Sequence, residues 1–203
     1  LAVISKIFKI CEPFFEAFTL YGLSGDNRPL KKQRGILMKH WLALAALALG
    51  LGSVAHAVNP PITCTIRTFT GNYLTAVDSG GRTTDVLHSD ARRWNNWEKF
   101  KLVDTGKKDG SLIRYGIKCF DGHYLTAVSG GGRTSDVIHS NATKIKSWEE
   151  FKFVPLGNDI YAIQTTNGLY LTAVGGGGRI TDVIHSDASV VRDWEKFHVV
   201  CGY

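Results

Sequence analysis

The sequence predicts an all-β domain built three times from one unit, and two observations predict it. Three ungapped 28-residue segments, Tyr73–Phe100, Tyr124–Phe151 and Tyr170–Phe197, share 16 identical positions. Within each unit, short runs of branched and aromatic residues alternate with polar ones between Gly-rich breaks, the period-two pattern of half-buried strands. Repeats of about 40–50 residues with four strands suit a propeller blade or a trefoil lobe, and a propeller needs at least four blades. Three copies therefore predict a closed threefold barrel, the β-trefoil, with repeats of about 58–107, 108–157 and 158–203.

Each unit reads as four strands. The first lies in Cys64–Phe69, Ile113–Phe120 and Asp159–Thr165, with Ile66, Ile117 and Ile163 at equivalent offsets. The second is Tyr-Leu-Thr-Ala-Val, the third Asp-Val-(Leu/Ile)-His-Ser, and the fourth the segment ending Glu-x-Phe-x-(Leu/Phe/Val)-Val. Leu74, Ala76, Val86 and their copies are expected in the core, and Glu98, Glu149 and Glu195 are expected to accept from nearby backbone donors.

The residues before the repeats carry a different signal. Met38 opens a short charged region, an apolar run Trp41–Gly52 of 12 residues and a small-residue site at Ala55 and Ala57. That order is the one a secretory signal peptide requires, and about 20 apolar residues are needed to span a bilayer. Residues 38–57 are read as a signal peptide cleaved after Ala57, residues 1–37 as non-native sequence translated upstream of the true start, and the remainder as one secreted or periplasmic domain of bacterial origin. The formal charge of +6 then falls to +2, because 17 Lys/Arg and 15 Asp/Glu remain in 58–203. The basic balance that would point to nucleic acid is largely removed with the leader. Cys64, Cys119 and Cys201 remain in a disulfide-permissive compartment.

The Tyr-Leu-Thr-Ala strand, the Gly-Gly loop after it and the closing Trp-Glu-x-Phe resemble the fascin-like branch of the β-trefoil superfamily, and the threefold repetition of polar positions resembles β-trefoil lectins. The resemblance covers all of 58–203. Fascins are cytosolic actin-bundling proteins with four trefoils, so actin bundling does not carry over to one trefoil behind a signal peptide. Ricin-type lectins mark each lobe with Gln-x-Trp, which is absent here, so their sugar-contacting positions do not carry over either. The description that fits is a fascin-like scaffold used as a secreted lectin. In a trefoil the first and last strands pair, so a Cys64–Cys201 disulfide would fasten the termini and leave Cys119 as a buried thiol.

The repeated polar residues are the candidate site. Gly81, Arg82, Asp85 and His88 recur as Gly132, Arg133, Asp136 and His139, and as Gly178, Arg179, Asp182 and His185. An Arg–Asp pair bracing each loop is one reading; exposed pairs of that kind contribute only about 0–1 kcal/mol and leave the His without a role. A sugar hydroxyl both donates and accepts, so a carboxylate, a guanidinium and an imidazole form a matching set, and glycines would let backbone N–H groups approach a ligand. Galactosides are the preferred ligands, partly as the resemblance to β-trefoil lectins implies and partly because an axial hydroxyl lets one carboxylate engage two neighbouring hydroxyls. Trp97, Trp148 and Trp194 are either structural corners or sugar-stacking faces. Asn72/His123/Leu169 and Asp78/Ser129/Gly175 would make the three sites unequal.

A hydrolase needs two carboxylates with separate roles, whereas each unit offers one equivalent Asp. No catalytic residue, cofactor or metal is expected, since no unit carries metal-ligand spacing. The expected partners are glycans on glycoconjugates or host cell surfaces, with neither nucleic acid nor a membrane span, and pairing with a second copy would present six sites. The rival is a non-enzymatic protein-interaction or protease-inhibitor trefoil acting through one distinctive loop, for which the most divergent stretch is Asp104–Gly110.

Overall fold

In the computed structural model, which describes residues 59–202, each repeat contributes four strands and three-residue 3-10 turns. The segments read as upstream sequence and signal peptide, with the cleavage point after Ala57, lie outside the described residues. The first repeat forms β1 (Ile62–Arg67), β2 (Tyr73–Ala76), β3 (Leu87–Ala91) and β4 (Lys99–Asp109). The second forms β5 (Leu112–Lys118), β6 (Tyr124–Ala127), β7 (Ile138–Ala142) and β8 (Glu150–Gly157), and the third β9 (Ile160–Gln164), β10 (Tyr170–Ala173), β11 (Ile184–Ala188) and β12 (Phe197–Cys201). Six strands close on themselves in antiparallel pairs: β1 with β4, β4 with β5, β5 with β8, β8 with β9, β9 with β12, and β12 with β1. The other six form the hairpins β2–β3, β6–β7 and β10–β11. This is the β-trefoil, whose closed ring leaves no free edge among the barrel strands.

Three elements are shorter than the sequence pattern predicts: the second strands end at Ala76, Ala127 and Ala173, where Val77, Val128 and Val174 open 3-10 turns. Phe69, Phe120 and Thr165 fall beyond the first strands, because Thr68, Cys119 and Thr165 donate their backbone N–H to the carbonyls of Asn72, His123 and Leu169 at 2.9, 2.7 and 2.9 Å. Those bonds close tight turns in place of continuing the ladder. The third strands begin at Leu87, Ile138 and Ile184, not at the preceding Asp. Asp85, Asp136 and Asp182 all adopt φ 48°, a left-handed conformation that a pleated strand does not accommodate.

The core is threefold as well. Phe100, Phe151 and Phe197 are fully buried with Ile66, Ile117 and Ile163, and Leu74, Ala76 and Val86 lie in the same cluster with their copies. Each Phe contributes about 1.5–3 kcal/mol by leaving water. Beside them sit three buried carboxylates. Glu98, Glu149 and Glu195 accept from the hydroxyls of Thr75, Thr126 and Thr172 at 2.9, 2.7 and 2.7 Å. Their second oxygens accept from the backbone N–H of Asn95, Lys146 and Arg192 at 2.6, 2.8 and 2.7 Å. The repeated Thr of Tyr-Leu-Thr-Ala is thus the inner partner of the repeated Glu, and a buried carboxylate left without such donors would be costly.

Cys64 and Cys201 are opposite one another in the β1–β12 ladder and are joined by a disulfide, with Cα atoms 4.0 Å apart. Two residues before the repeated Ile, Cys64 occupies the place held by Tyr115 and Tyr161 in the other repeats, where both rings pack edge-on against Phe153. The disulfide therefore fastens the barrel at the position where the first repeat lacks a tyrosine. Cys119 is a free thiol, and burial pushes it up to about 12.

Replacing Cys201 by Ser should lower the unfolding free energy by about 2–5 kcal/mol, read as a fall in the urea midpoint that a reducing agent reproduces in the parent protein. In the folded state Cys119 should resist alkylation by iodoacetamide at pH 8 and react only once denaturant is added, because the thiolate is the nucleophile.

Candidate functional site

The three hairpins are clasped to one another in a cycle. Gly81 donates its N–H to the Ser140 carbonyl at 2.8 Å, Ser140 returns its N–H to the Arg82 carbonyl at 2.8 Å, and the Arg82 N–H reaches Ser140 Oγ at 3.1 Å. Gly132 and Arg133 make the same bonds with Ser186, and Gly178 and Arg179 make them with Ser89. All three serines are fully buried. The glycine N–H groups expected to face a ligand are therefore occupied within the fold, so the backbone of Gly81, Gly132 and Gly178 acts as scaffold.

The neighbouring glycines have a steric task. Each Gly-rich loop packs against the β1–β2-type turn of the next repeat: Asp121 donates to Ser79, Asn167 to Gly130 and Thr70 to Gly176 through their backbones, at 3.2, 3.2 and 3.0 Å. A Cβ on Gly177 would lie 2.1 Å from Thr68 Oγ1 and one on Gly131 2.4 Å from Thr165 Oγ1. This interlocking also reassigns the variable positions. His123, Leu169 and Asn72 approach Gly81, Gly132 and Gly178, each in the loop of the preceding repeat, so they modulate a neighbour's loop and not their own. His123 is itself held by Asp121, with Nδ1 donating to Oδ2 at 2.6 Å.

The side chains of the candidate set converge as the sequence grouped them. His88 Nε2 donates to Asp85 Oδ1 at 2.8 Å, and His139 and His185 do the same to Asp136 and Asp182 at 2.7 Å. A carboxylate only accepts, so Nε2 carries the shared proton in each pair. The guanidinium groups lie 3.6, 3.3 and 3.5 Å from the second Asp oxygens. Each Arg Nε is committed to its own loop, donating at 3.1 Å to the carbonyls of Thr84, Ser135 and Thr181. Arg and Asp thus brace each other, yet about half of each Asp side chain stays in water, at 50, 53 and 49% exposure. In the first repeat Arg82 also pairs with Asp78, where the others have Ser129 and Gly175, so its charge is divided between two carboxylates.

The three Asp residues line one concavity, which their Arg and His partners do not line. A depression of about 620 Å³ is lined by Thr83–Leu87, Thr134–Ile138 and Ile180–Ile184, the same five positions of every repeat, which places it on the pseudo-threefold axis. Its lining combines Asp85, Asp136 and Asp182 with Thr and Ser hydroxyls and the apolar Val86, Val137 and Val183. Ile180 stands where the other repeats have Thr83 and Thr134, making one wall more apolar. Trp97, Trp148 and Trp194 do not line it. They are half exposed, and the Cδ1 atoms of Trp148 and Trp194 lie 3.5 and 3.4 Å from where a Cβ would stand on Gly130 and Gly176, so they cover the Gly-rich loop of their own repeat. The divergent stretch Asp104–Gly110 forms the tip of the β4–β5 hairpin, where Lys107 pairs with buried Glu150 at 2.6 Å and Asp109 with Lys152 at 2.6 Å.

The buried Ser–Gly-Arg clasp escaped sequence reasoning because a Ser next to a repeated His reads as part of the same polar group; its signal was invariance without exposure. A second recess of about 420 Å³, lined by Trp94–Lys99, was also missed. Its signal was a break in the repetition, since Trp94 corresponds to Ile145 and Val191.

No family model and no curated protein matches the chain. Among solved structures it is similar to the designed threefold-symmetric protein ThreeFoil, with a TM-score of 0.55, 12% identity and coverage of 68% of this chain and 97% of the other. It is similar to the Rhizoctonia solani agglutinin at a TM-score of 0.55, 15% identity and coverage of 70% and 96%. It is also similar to the Polyporus squamosus lectin, solved with the epitope Neu5Aca2-6Galb1-4GlcNAc, at a TM-score of 0.53, 13% identity and coverage of 70% and 49%. At these identities the likeness establishes the fold.

The hydrogen bond from His139, reinforced by its charge and that of Arg133, holds the Asp136 carboxyl below its ordinary value of 3.8. A carboxyl lowered by folding contributes stability above its unfolded pKa and loses it as pH falls through the folded one. The Asp136 carboxyl carbon should therefore titrate below 3.8 by NMR in the parent protein, and His139→Ala should move the midpoint upward toward that value.

Proposed function

We propose that the protein is a non-enzymatic carbohydrate-binding lectin whose three Asp–His–Arg sets contact sugar, with galactosides as the preferred ligands and the cell exterior or periplasm as its place of action. The observation that carries this reading is the set of three half-exposed carboxylates, each held by a His and an Arg on a left-handed residue that lines one concave surface. An ionised carboxylate accepts about four hydrogen bonds. His takes one on Oδ1 and the long Arg contact leaves Oδ2 largely open, so each Asp retains acceptor sites for a pair of sugar hydroxyls. Left-handed backbone at a non-glycine residue costs about 1–3 kcal/mol and is concentrated at functional positions. Ile180, exposed on one wall of the depression, gives the C–H face of a sugar an apolar surface beside the polar lining, a mix typical of ligand sites.

Repetition supports binding over catalysis, because three equal Asp residues with equal neighbours do not divide into acid and base. Equal sites instead favour multivalent attachment, where simultaneous engagement strengthens weak single contacts by about 10²–10⁴. The likeness of the fold to an agglutinin and to a lectin accords with this reading.

On a glycan array the protein should retain galactoside-terminated glycans. Asp85→Ala, Asp136→Ala and Asp182→Ala together should weaken that retention by at least about 100-fold, since removing a charged hydrogen-bonding group costs about 1.5–3 kcal/mol at each site, with the circular dichroism spectrum unchanged. Undiminished sugar binding by the triple variant would remove the Asp sets from the site, and an array on which the parent binds no glycan would end the lectin reading.

A further inference from the structure

One surface segment differs among all three repeats, and the first repeat alone places a second tryptophan in it. Between β3 and β4 the first repeat reads Arg92-Arg93-Trp94-Asn95-Asn96-Trp97-Glu98-Lys99, where the second reads Thr143-Lys144-Ile145-Lys146-Ser147-Trp148-Glu149-Glu150 and the third Ser189-Val190-Val191-Arg192-Asp193-Trp194-Glu195-Lys196. Barrel closure does not call for this difference, since the other two repeats close the same barrel without it. The six residues Trp94–Lys99 line the recess of about 420 Å³, which shares no residue with the axial depression. Trp94 and Trp97 are 38 and 43% exposed, large apolar surface for a segment this polar. Lys99 Nζ stands 4.9 Å from the centroid of the Trp94 ring, so a cation–π contact fixes its position.

Within the segment the exposed charge is basic. Glu98 is buried and both its oxygens are engaged, by Thr75 and by the Asn95 backbone. Lys99 is half-buried, and Arg92 and Arg93 are exposed just before it. In the second repeat the residue equivalent to Lys99 is the buried Glu150, paired with Lys107, and in the third Lys196 is paired with Asp193 at 2.8 Å. Only the first repeat therefore combines two tryptophans, two carboxamides and a cation held by an aromatic ring.

We propose that this recess is a second binding site, separate from the three Asp-centred sets, for an anionic saccharide: a sugar bearing a carboxylate or a sulfate. The face of Trp97 takes the sugar's C–H surface, because a half-exposed indole is apolar where a sugar ring is flat. The carboxamides of Asn95 and Asn96 both donate and accept, as hydroxyls require. The Lys99 ammonium meets the anionic substituent in a charge-assisted hydrogen bond, about twice as strong as a neutral one. Because the segment occurs once, the stoichiometry is one acidic sugar per chain.

The test uses the folded chain and the indole N–H signals of Trp94 and Trp97 in an NMR titration with three probes of equal length: an oligogalacturonate, a sulfated galacto-oligosaccharide and the neutral galacto-oligosaccharide. One or both acidic probes should shift these signals to saturation, and which one does so identifies the anion. Trp94→Ile, the residue of the second repeat, and Lys99→Gln should each weaken that binding by on the order of tenfold. The triple Asp variant should keep it, so failure of this site and failure of the axial reading are told apart. The proposal is overturned if neither acidic probe shifts the two indoles, if Lys99→Gln binds unchanged, if the neutral probe binds as tightly as the acidic ones, or if the triple Asp variant loses the acidic sugar.

Discussion

The backbone clasp between each Gly-Arg pair and the buried serine of the following repeat is the contact on which the rest of this molecule depends. It runs from Arg82 to Ser140, from Arg133 to Ser186 and from Arg179 back to Ser89, so the three hairpins hold one another in a cycle with no first or last member. Buried backbone groups must find partners, and here each hairpin's polar groups are satisfied only when the next is in place. The barrel below is closed by strand pairing and by the Cys64–Cys201 link. The hairpins above it are closed by this exchange.

Positioning of the candidate site follows from that clasp. The residues just after Arg82, Arg133 and Arg179 must turn sharply to enter the third strand, and the turn places Asp85, Asp136 and Asp182 in left-handed backbone on the wall of the axial depression. Each Arg serves in two ways, its backbone in the clasp and its Nε in bracing the loop, so what it offers the Asp is a long contact from the end of the guanidinium. Each His takes one Asp oxygen through its Nε2–H. Bracing and binding are thus not alternatives at these positions, since the groups that hold the carboxylate still also leave it half in water.

Much of the scaffold was legible because a threefold barrel imposes equal residues at equal places. Phe100, Ile66 and Leu74 announce the core through their copies and their alternation, and Glu98 announces a capped turn. What the pattern could not reveal was which repeat each loop touches. His123 follows the first-strand turn of its own unit in sequence, yet in space it lies beside Gly81 of the unit before. The invariant Ser89 looked like a neighbour of His88, but adjacent residues on a strand face opposite ways; His88 turns to Asp85 at the surface and Ser89 to Arg179 in the interior. Trp94 was invisible because reading by repetition passes over what occurs once.

Number of repeats, strand content and the membership of each polar set were thus determined by the sequence alone, since they depend on period and alternation, which are local properties of the chain. The joining of three Asp residues at a single depression, the use of glycine N–H groups within the fold and the pairing of each loop with the next repeat were decided only in the tertiary structure. These depend on how the hairpins interlock around the axis, and closure brings together residues that lie about fifty positions apart along the chain.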